Sequence, residues 1–379
     1  EVLAGTLMLP LGLLLHASAQ ALRGFYDIRY VVIGGSILQL TAKVLSSIII
    51  FALGFHVVGY LWAVNLSMAV ALVWMLFGIG GHLRRYPSER TRGLRLLPAW
   101  RGYAKVMYGN NLLGFWAAPL EKFILGLTAS AAAVGVLVVA NSLYMLPAVF
   151  LQMFLAIVGP MLAAAASENK MQEVEKIYHL STDWLVRLSL PLIIFLAIFA
   201  APLLGFYGKE FTETGPFLLQ LLLAGQLLNL IVGPIGNVLN MCGRERKMFV
   251  INTASILLRA ILLLAIVPVF GLYGLGATVV IVLVFSNASA LIVAWKSLGL
   301  QWWDAKYKAW CLPSVLTVLA GVGVHYWVAL NMYSLAASLP LLYLVFHGSY
   351  ILIHGFNPED REILDAIRAK LPARITRFL

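Results

Sequence analysis

The sequence predicts an all-α polytopic membrane protein, and three observations predict it. Of its 379 residues, 61% are hydrophobic and only 11% are charged, with a mean hydropathy of +0.91. Soluble domains contain about 25% charged residues, because polar groups have to cover their surface. The other two observations are eleven long apolar runs and a one-sided distribution of basic residues. This composition excludes a soluble enzyme and a nucleic-acid-binding domain.

Each apolar run is long enough for a membrane-spanning helix, which needs about 20 residues. The predicted spans are 2–20, 30–54, 57–80, 103–128, 133–166, 184–207, 216–240, 248–270, 272–295, 310–330 and 334–354. The fifth run is too long for one straight span. We therefore expect a single helix that projects beyond the bilayer, with Pro147 and Pro160 at kinks or ends.

Basic residues fall almost entirely on one side of the predicted topology. Of the 27 Lys and Arg residues, 21 lie in one set of alternate connections: 21–29, 81–102, 167–183, 241–247, 296–309 and 355–379. The opposite set contains only Lys209. By the positive-inside rule, the basic connections and the carboxyl end face the cytoplasm. Lys105, Asp183 and Arg187 lie near predicted interfaces, and we interpret them as boundary charges.

The predicted topology begins outside the cell, with neither Met nor a signal peptide before the first span. We therefore expect that the first three of fourteen spans are absent, and a protein of eleven spans is the alternative. The predicted organisation has five parts: 1–81, three spans of an amino-terminal lobe; 82–102, a basic cytoplasmic linker; 103–297, a carboxyl-terminal lobe of six spans; 298–354, two additional spans; and 355–379, a cytoplasmic amphipathic tail.

Two segments, 21–74 and 240–290, have the same layout. Each begins with a short basic loop, continues into a span, turns at a glycine (Gly54 or Gly271) and enters a second span. Both repeats run in the same direction across the membrane. Parallel repeats of this kind occur in transporters that bind substrate between two halves.

The repeat places one cation near the middle of a span in each half, Lys43 and Arg259. Lys43 lies about 20 Å along its predicted span, too deep for its side chain to reach either interface easily. Charge at that depth is costly and usually faces a cavity or a partner. Two such cations suit an anionic substrate such as phosphate or diphosphate. The alternative is that each one pairs with backbone carbonyls or with a carboxylate of a neighbouring helix.

The fourth predicted span carries the other polar candidates. Glu121 and Lys122 are consistent with an ion pair between packed helices, or with a gating or proton-coupling role. Asn110 and Asn111 could line a cavity or form hydrogen bonds between helices.

The sequence predicts no enzyme activity, cofactor or metal site. The seven His residues have no metal-ligand spacing, and the two cysteines cannot form a disulfide framework. We interpret Trp302 and Trp303 as part of an interfacial aromatic belt rather than a stacking platform.

Four stretches resemble the polysaccharide-transport branch of the multidrug/oligosaccharidyl-lipid/polysaccharide exporter superfamily. The first, at 233–243, is Gly-Pro-Ile-Gly-Asn-Val-Leu-Asn-Met-Cys-Gly, similar to the run that closes the tenth helix of that family. The stretches at 120–126, 268–274 and 22–24 resemble its seventh-helix end, its turn between helices eleven and twelve, and the end of its fourth helix. Glu121 stands where the family more often has Asp.

The resemblance implies two pseudo-symmetric helical lobes around a central cavity, with two additional spans at the carboxyl end. It also implies a flippase that carries an undecaprenyl-diphosphate-linked oligosaccharide across the bacterial inner membrane. It implies that cavity cations receive the diphosphate, and Lys43 and Arg259 match that role by depth and symmetry, although many relatives have Asn at the position of Arg259. The implied partners are the lipid-linked oligosaccharide, membrane lipids, a polysaccharide polymerase and a chain-length regulator. The alternatives are a cation-coupled multidrug exporter, a peptidoglycan-precursor flippase, and a membrane polymerase or ligase of lipid-linked sugars.

Overall fold

A computed structural model describes residues 2–25, 27–55, 57–85, 98–117, 120–328 and 331–355. Within these ranges the chain is helical and contains no strand, which confirms the predicted all-α polytopic fold. The helices are α1 (Val2–Gly24), α2 (Ile28–Val32), α3 (Gln39–Ala52), α4 (Val57–Arg85), α5 (Pro98–Ala117), α6 (Leu120–Thr128), α7 (Ala131–Tyr144), α8 (Leu146–Ser167), α9 (Met171–Ile198), α10 (Ala200–Gly205), α11 (Gly215–Val232), α12 (Ile235–Met241), α13 (Glu245–Leu298), α14 (Cys311–Trp327) and α15 (Met332–His354).

Each predicted span coincides with one helix or with consecutive helices. Among the described helices, eight are long and apolar enough to cross a membrane. One of them, α13, consists of two arms that meet at Gly271, where φ is +55°. Gly54, which follows α3, has φ of +83°. The two glycines of the sequence repeat therefore adopt positive φ at equivalent turns, a conformation that glycine accepts at little cost.

The prediction of one long helix over 133–166 is wrong in detail. The chain forms α7 and α8, with Met145 as a turn between them. Pro147 lies in the first turn of α8, where its missing N–H costs no helical hydrogen bond. Pro160, by contrast, lies inside α8 and does not end it.

The chain divides into two compact units, Glu1–Leu96 and Leu97–Leu379. In the first unit, α1 and α3 pack against α4, and Leu22, Ala63 and Met75 are buried. Between α2 and α3 the backbone forms a π-helical turn, Ile33–Leu38. The glycines in this turn allow the backbone to lie close to α4.

The second unit is organised around α9, which packs against α8, α11, α14 and α15. Phe199, Leu218 and Leu342 are almost fully buried in its main apolar core. The predicted tail at 355–379 begins at the last described residue, and positions 356–379 lie outside the described residues.

The Gly-Pro pair at 233–234 separates α11 from α12. Gly233 has φ of +68°, and a Cβ atom there would lie 2.0 Å from Oγ1 of Thr182 on α9. The interruption frees the carbonyl of Val232, which accepts a 2.7 Å hydrogen bond from the Tyr178 hydroxyl. The helix break therefore packs closely against α9, and Tyr178 on α9 supplies the hydrogen bond that the free carbonyl needs.

We expect Gly233→Ala to lower the melting temperature in detergent much more than Gly243→Ala. Gly243 has nearly the same φ, +70°, but a Cβ atom at Gly243 would have no neighbour within 4 Å. Gly243→Ala incurs about 1–2 kcal/mol for positive φ. Gly233 has a ψ of −160°, in a region open essentially only to glycine, so Gly233→Ala incurs about 1–3 kcal/mol for the backbone and adds about 1–3 kcal/mol of overpacking. Equal shifts in melting temperature would contradict this packing role.

Candidate functional site

Arg259 forms an ion pair with Glu121 in the second unit. The Nη1 atom of Arg259, on the first arm of α13, lies 3.4 Å from Oε1 of Glu121, in the first turn of α6. The two side chains are only 26% and 16% exposed, respectively. Pairing with a carboxylate of a neighbouring helix was the alternative to binding of an anionic substrate, and the structure shows such a pair at Arg259. Sequence spacing could not reveal the pair, because packing of α13 against α6 brings the two residues together.

The guanidinium of Arg259 retains unused hydrogen-bonding capacity. Its Nε atom is buried without a hydrogen-bond partner among the described residues. Since a guanidinium has five N–H donors, the ion pair with Glu121 does not use all of them.

Glu121 and Lys122 do not pair with each other among the described contacts. Glu121 is directed to Arg259, whereas the Lys122 side chain is exposed. Adjacent residues on a helix point in different directions, which explains the separation. Asn110 and Asn111 lie together on α5, where the side chain of Asn111 is exposed.

Lys43 lies on α3 in the first unit and is half-buried. Its Nζ atom lies 5.7 Å from the centre of the Tyr60 ring on α4. This is a cation–π contact, in which the negative face of the ring attracts the ammonium group. Within the described part of the chain, no carboxylate lies within ion-pair distance of Lys43.

Asp183 and Arg187, predicted to be boundary charges, are both buried on α9 rather than exposed. Arg187 Nη1 lies 3.1 Å from Asp183 Oδ2, and the guanidinium lies 4.2 Å from the centre of the Tyr350 ring on α15. Trp310 Nε1 donates a 2.8 Å hydrogen bond to Asp183 Oδ1. The i,i+4 spacing of the two charges was the signal in the sequence that could have identified this pair.

The same network continues into the short 3₁₀ helix Ala305–Trp310. The Tyr307 ring stacks on Trp310 at 4.4 Å between centroids, and its hydroxyl lies 2.8 Å from His179 Nδ1. Buried polar contacts therefore fix α14 and α15 to α9. Among the described residues, no group of three or more His, Cys, Asp or Glu is placed to hold a metal ion.

Comparisons with known proteins agree with this architecture. The model of a family described as "polysaccharide biosynthesis protein" matches residues 7–216, more than half of the chain. Among solved structures, the lipid II flippase MurJ in an inward closed conformation matches with a TM-score of 0.61. The match has 12% sequence identity and covers 89% of this chain and 71% of that chain, so it shows the fold. No curated protein matches the sequence.

The resemblance noted at 120–126, within the matched region, is thereby confirmed at the level of the family. The similar solved structure agrees with the predicted all-α polytopic fold. The chain belongs to the polysaccharide biosynthesis protein family, in the polysaccharide-transport branch of the multidrug/oligosaccharidyl-lipid/polysaccharide exporter superfamily.

Proposed function

We propose that the protein is a flippase that moves an undecaprenyl-diphosphate-linked oligosaccharide, such as an O-antigen, capsule or exopolysaccharide unit, across the bacterial inner membrane. The family description supports a carbohydrate substrate, and the fold supports a lipid flippase rather than an enzyme. The carboxyl end then faces the cytoplasm, as the distribution of Lys and Arg predicts.

The Arg259–Glu121 pair is the observation that carries this proposal. Arg259 lies fourteen residues after the start of α13, about 20 Å along the helix axis. A cation at this depth is costly, and Glu121 offsets part of that cost while the site has no substrate. A diphosphate supplies more negative charge than one carboxylate, and the planar guanidinium can bind it in a bidentate manner. Glu121 therefore neutralises Arg259 when no substrate is bound, and a diphosphate can replace Glu121 as the partner of Arg259.

Lys43 is the second proposed diphosphate ligand. The repeat places it at a depth similar to that of Arg259, and its ammonium group is held by a ring face rather than by a described carboxylate. In the proposed alternating access, the sugar crosses the membrane along a hydrated path while the lipid tail stays in the bilayer. The two cations then lower the desolvation cost of the diphosphate at the midplane.

Glu121 is the proposed coupling or gating residue. When the diphosphate binds Arg259, Glu121 loses its partner. Because an unpaired carboxylate in apolar surroundings is costly, Glu121 then has to bind a proton or another cation. Substrate binding and ion binding are then linked through one side chain. Lys122, Asn110 and Asn111 remain proposed cavity, gating or coupling residues.

Transport by the purified full chain in phospholipid vesicles tests this function. A fluorescent, short-chain lipid diphosphate oligosaccharide is added to the vesicles, and a membrane-impermeant glycosidase reports the fraction on each face. We expect transport of this probe well above protein-free vesicles. A peptidoglycan-precursor probe and a cationic drug serve as matched comparisons. Preferential transport of either one, or background rates with the oligosaccharide probe, would contradict the proposal.

A further inference from the structure

A cavity of about 470 Å³ lies where the second arm of α13 ends. It is formed by the last turns of that arm and by the connection that follows. Its lining residues are Leu291, Ile292, Trp295, Gln301, Trp302 and Trp303. It lies entirely within the second unit and is separate from the Arg259–Glu121 pair.

The lining of this cavity is aromatic and neutral. Three indole rings and the Gln301 amide provide its polar and aromatic groups, and no charged side chain lines it among the described residues. A phosphate-binding site would need Lys or Arg side chains or a set of backbone N–H groups. A pyranose ring has apolar C–H faces that pack on indole rings, and its hydroxyl groups can pair with an amide. The lining therefore suits a neutral sugar better than a phosphate.

Contacts with neighbouring aromatic residues hold the rings of Trp302 and Trp303 in place. Trp302 and Trp303 meet edge to face at 5.5 Å between ring centres, and Trp303 meets Tyr307 edge to face at 5.7 Å. Tyr307 in turn is buried and stacked on Trp310, which is hydrogen-bonded to Asp183. Aromatic residues of an interfacial belt need no such support, whereas a binding site benefits from fixed rings.

The cavity also has an apolar side and a polar side. Leu291 and Ile292 lie on the helix, toward the interior of the span, and Gln301 lies in the connection beyond its end. The two ends of α13 come together here, since Arg244 Nη2 lies 3.5 Å from the Ser297 carbonyl oxygen. Basic residues of the connections gather at this end, which the positive-inside rule assigns to the cytoplasm.

We propose that this cavity, the tryptophan cradle, binds a sugar of the lipid-linked substrate at the cytoplasmic leaflet before the substrate enters the transport path. The sugar packs on Trp302 and Trp303 and pairs with Gln301. This inference rests on the proposed function for the identity of the substrate. The site itself recognises a neutral sugar carried on a lipid.

Photo-crosslinking to the full chain in nanodiscs tests the tryptophan cradle. The probe is a monoglucosyl diacylglycerol with a diazirine on the sugar ring, and mass spectrometry maps the labelled peptides. We expect labelling within residues 291–303, and we expect it to fall about tenfold in Trp302→Ala/Trp303→Ala. Trp302→Phe/Trp303→Phe should retain most of it. The control variant Trp327→Ala changes a highly exposed tryptophan at the other end of α14 and should leave labelling unchanged.

Competition on the wild-type protein gives a second readout that does not depend on any variant folding. Unlabelled glucosyl lipid should displace the probe, whereas phosphatidylglycerol and sugar-free diacylglycerol should not. Equal displacement by either lipid, or unchanged labelling in a folded Ala variant, overturns the inference in favour of a simple membrane anchor. Vesicle transport separates the two proposals. Transport without sugar-dependent labelling would contradict only the tryptophan cradle. Labelling without transport would contradict only the flippase function.

Discussion

Replacing Lys43 and Arg259 together with alanine should reduce oligosaccharide transport at least about 100-fold, while the protein still inserts into the membrane. Each cation at the middle of a span costs about 2.5–3.5 kcal/mol on membrane-insertion scales, and a hydrogen bond from it to the charged diphosphate contributes about 1.5–3 kcal/mol. A loss of about 1.4 kcal/mol corresponds to a tenfold decrease in rate. Transport is measured in the vesicle assay, and insertion by the yield of monodisperse protein.

Two control variants separate this effect from a general loss of charge. Lys105→Ala removes an exposed lysine on α5 and should leave the rate unchanged. Lys43→Arg/Arg259→Lys keeps both charges and should retain a measurable part of transport, although Lys cannot reproduce the bidentate geometry of Arg. Wild-type transport by the double alanine variant would show that neither cation receives the substrate.

Asp183→Leu should destabilise the protein by about 3–5 kcal/mol, because it leaves the buried Arg187 without its carboxylate. It also removes the acceptor for the Trp310 indole N–H. Thermal unfolding in detergent, followed by intrinsic tryptophan fluorescence, measures the change. The tryptophan cradle should loosen as well, since Trp310 supports Tyr307 beneath it.

The matched control for this prediction is Asp183→Leu/Arg187→Met. Replacing both members of a buried ion pair with apolar residues is often neutral or even stabilising, so the double variant should recover most of the lost stability. If the single and double variants melt at the same low temperature, the pair's charge balance is not the cause. The structural role would then belong to the Trp310 hydrogen bond alone.

The sequence was sufficient to predict the fold class and most of the helices, for a physical reason. A helix in a bilayer satisfies its own backbone groups, so hydropathy and length alone identify it. The turns at Gly54 and Gly271 were likewise visible as a repeated glycine, and both adopt positive φ. The interruption at Gly233 could not be located from hydropathy, because the apolar run continues across it, and only the family resemblance marked that stretch.

The partners of the charged residues could not be predicted in the same way. Arg259 meets Glu121 because α13 packs on α6, and no local pattern specifies which helix will pack on which. Asp183 looked like a boundary charge because the apolar run begins only at Trp184. In the structure α9 begins at Met171 and is covered by α14 and α15.

The central claim is that Lys43 and Arg259 recognise the diphosphate of the lipid-linked substrate. The most direct test measures the affinities of the purified protein for two probes with the same glycan and short lipid, one linked through a diphosphate and the other through a monophosphate. We expect the wild-type protein to prefer the diphosphate probe by about tenfold or more, and the Lys43→Ala/Arg259→Ala variant to bind the two probes equally. Retention of the full preference in that variant would contradict the claim.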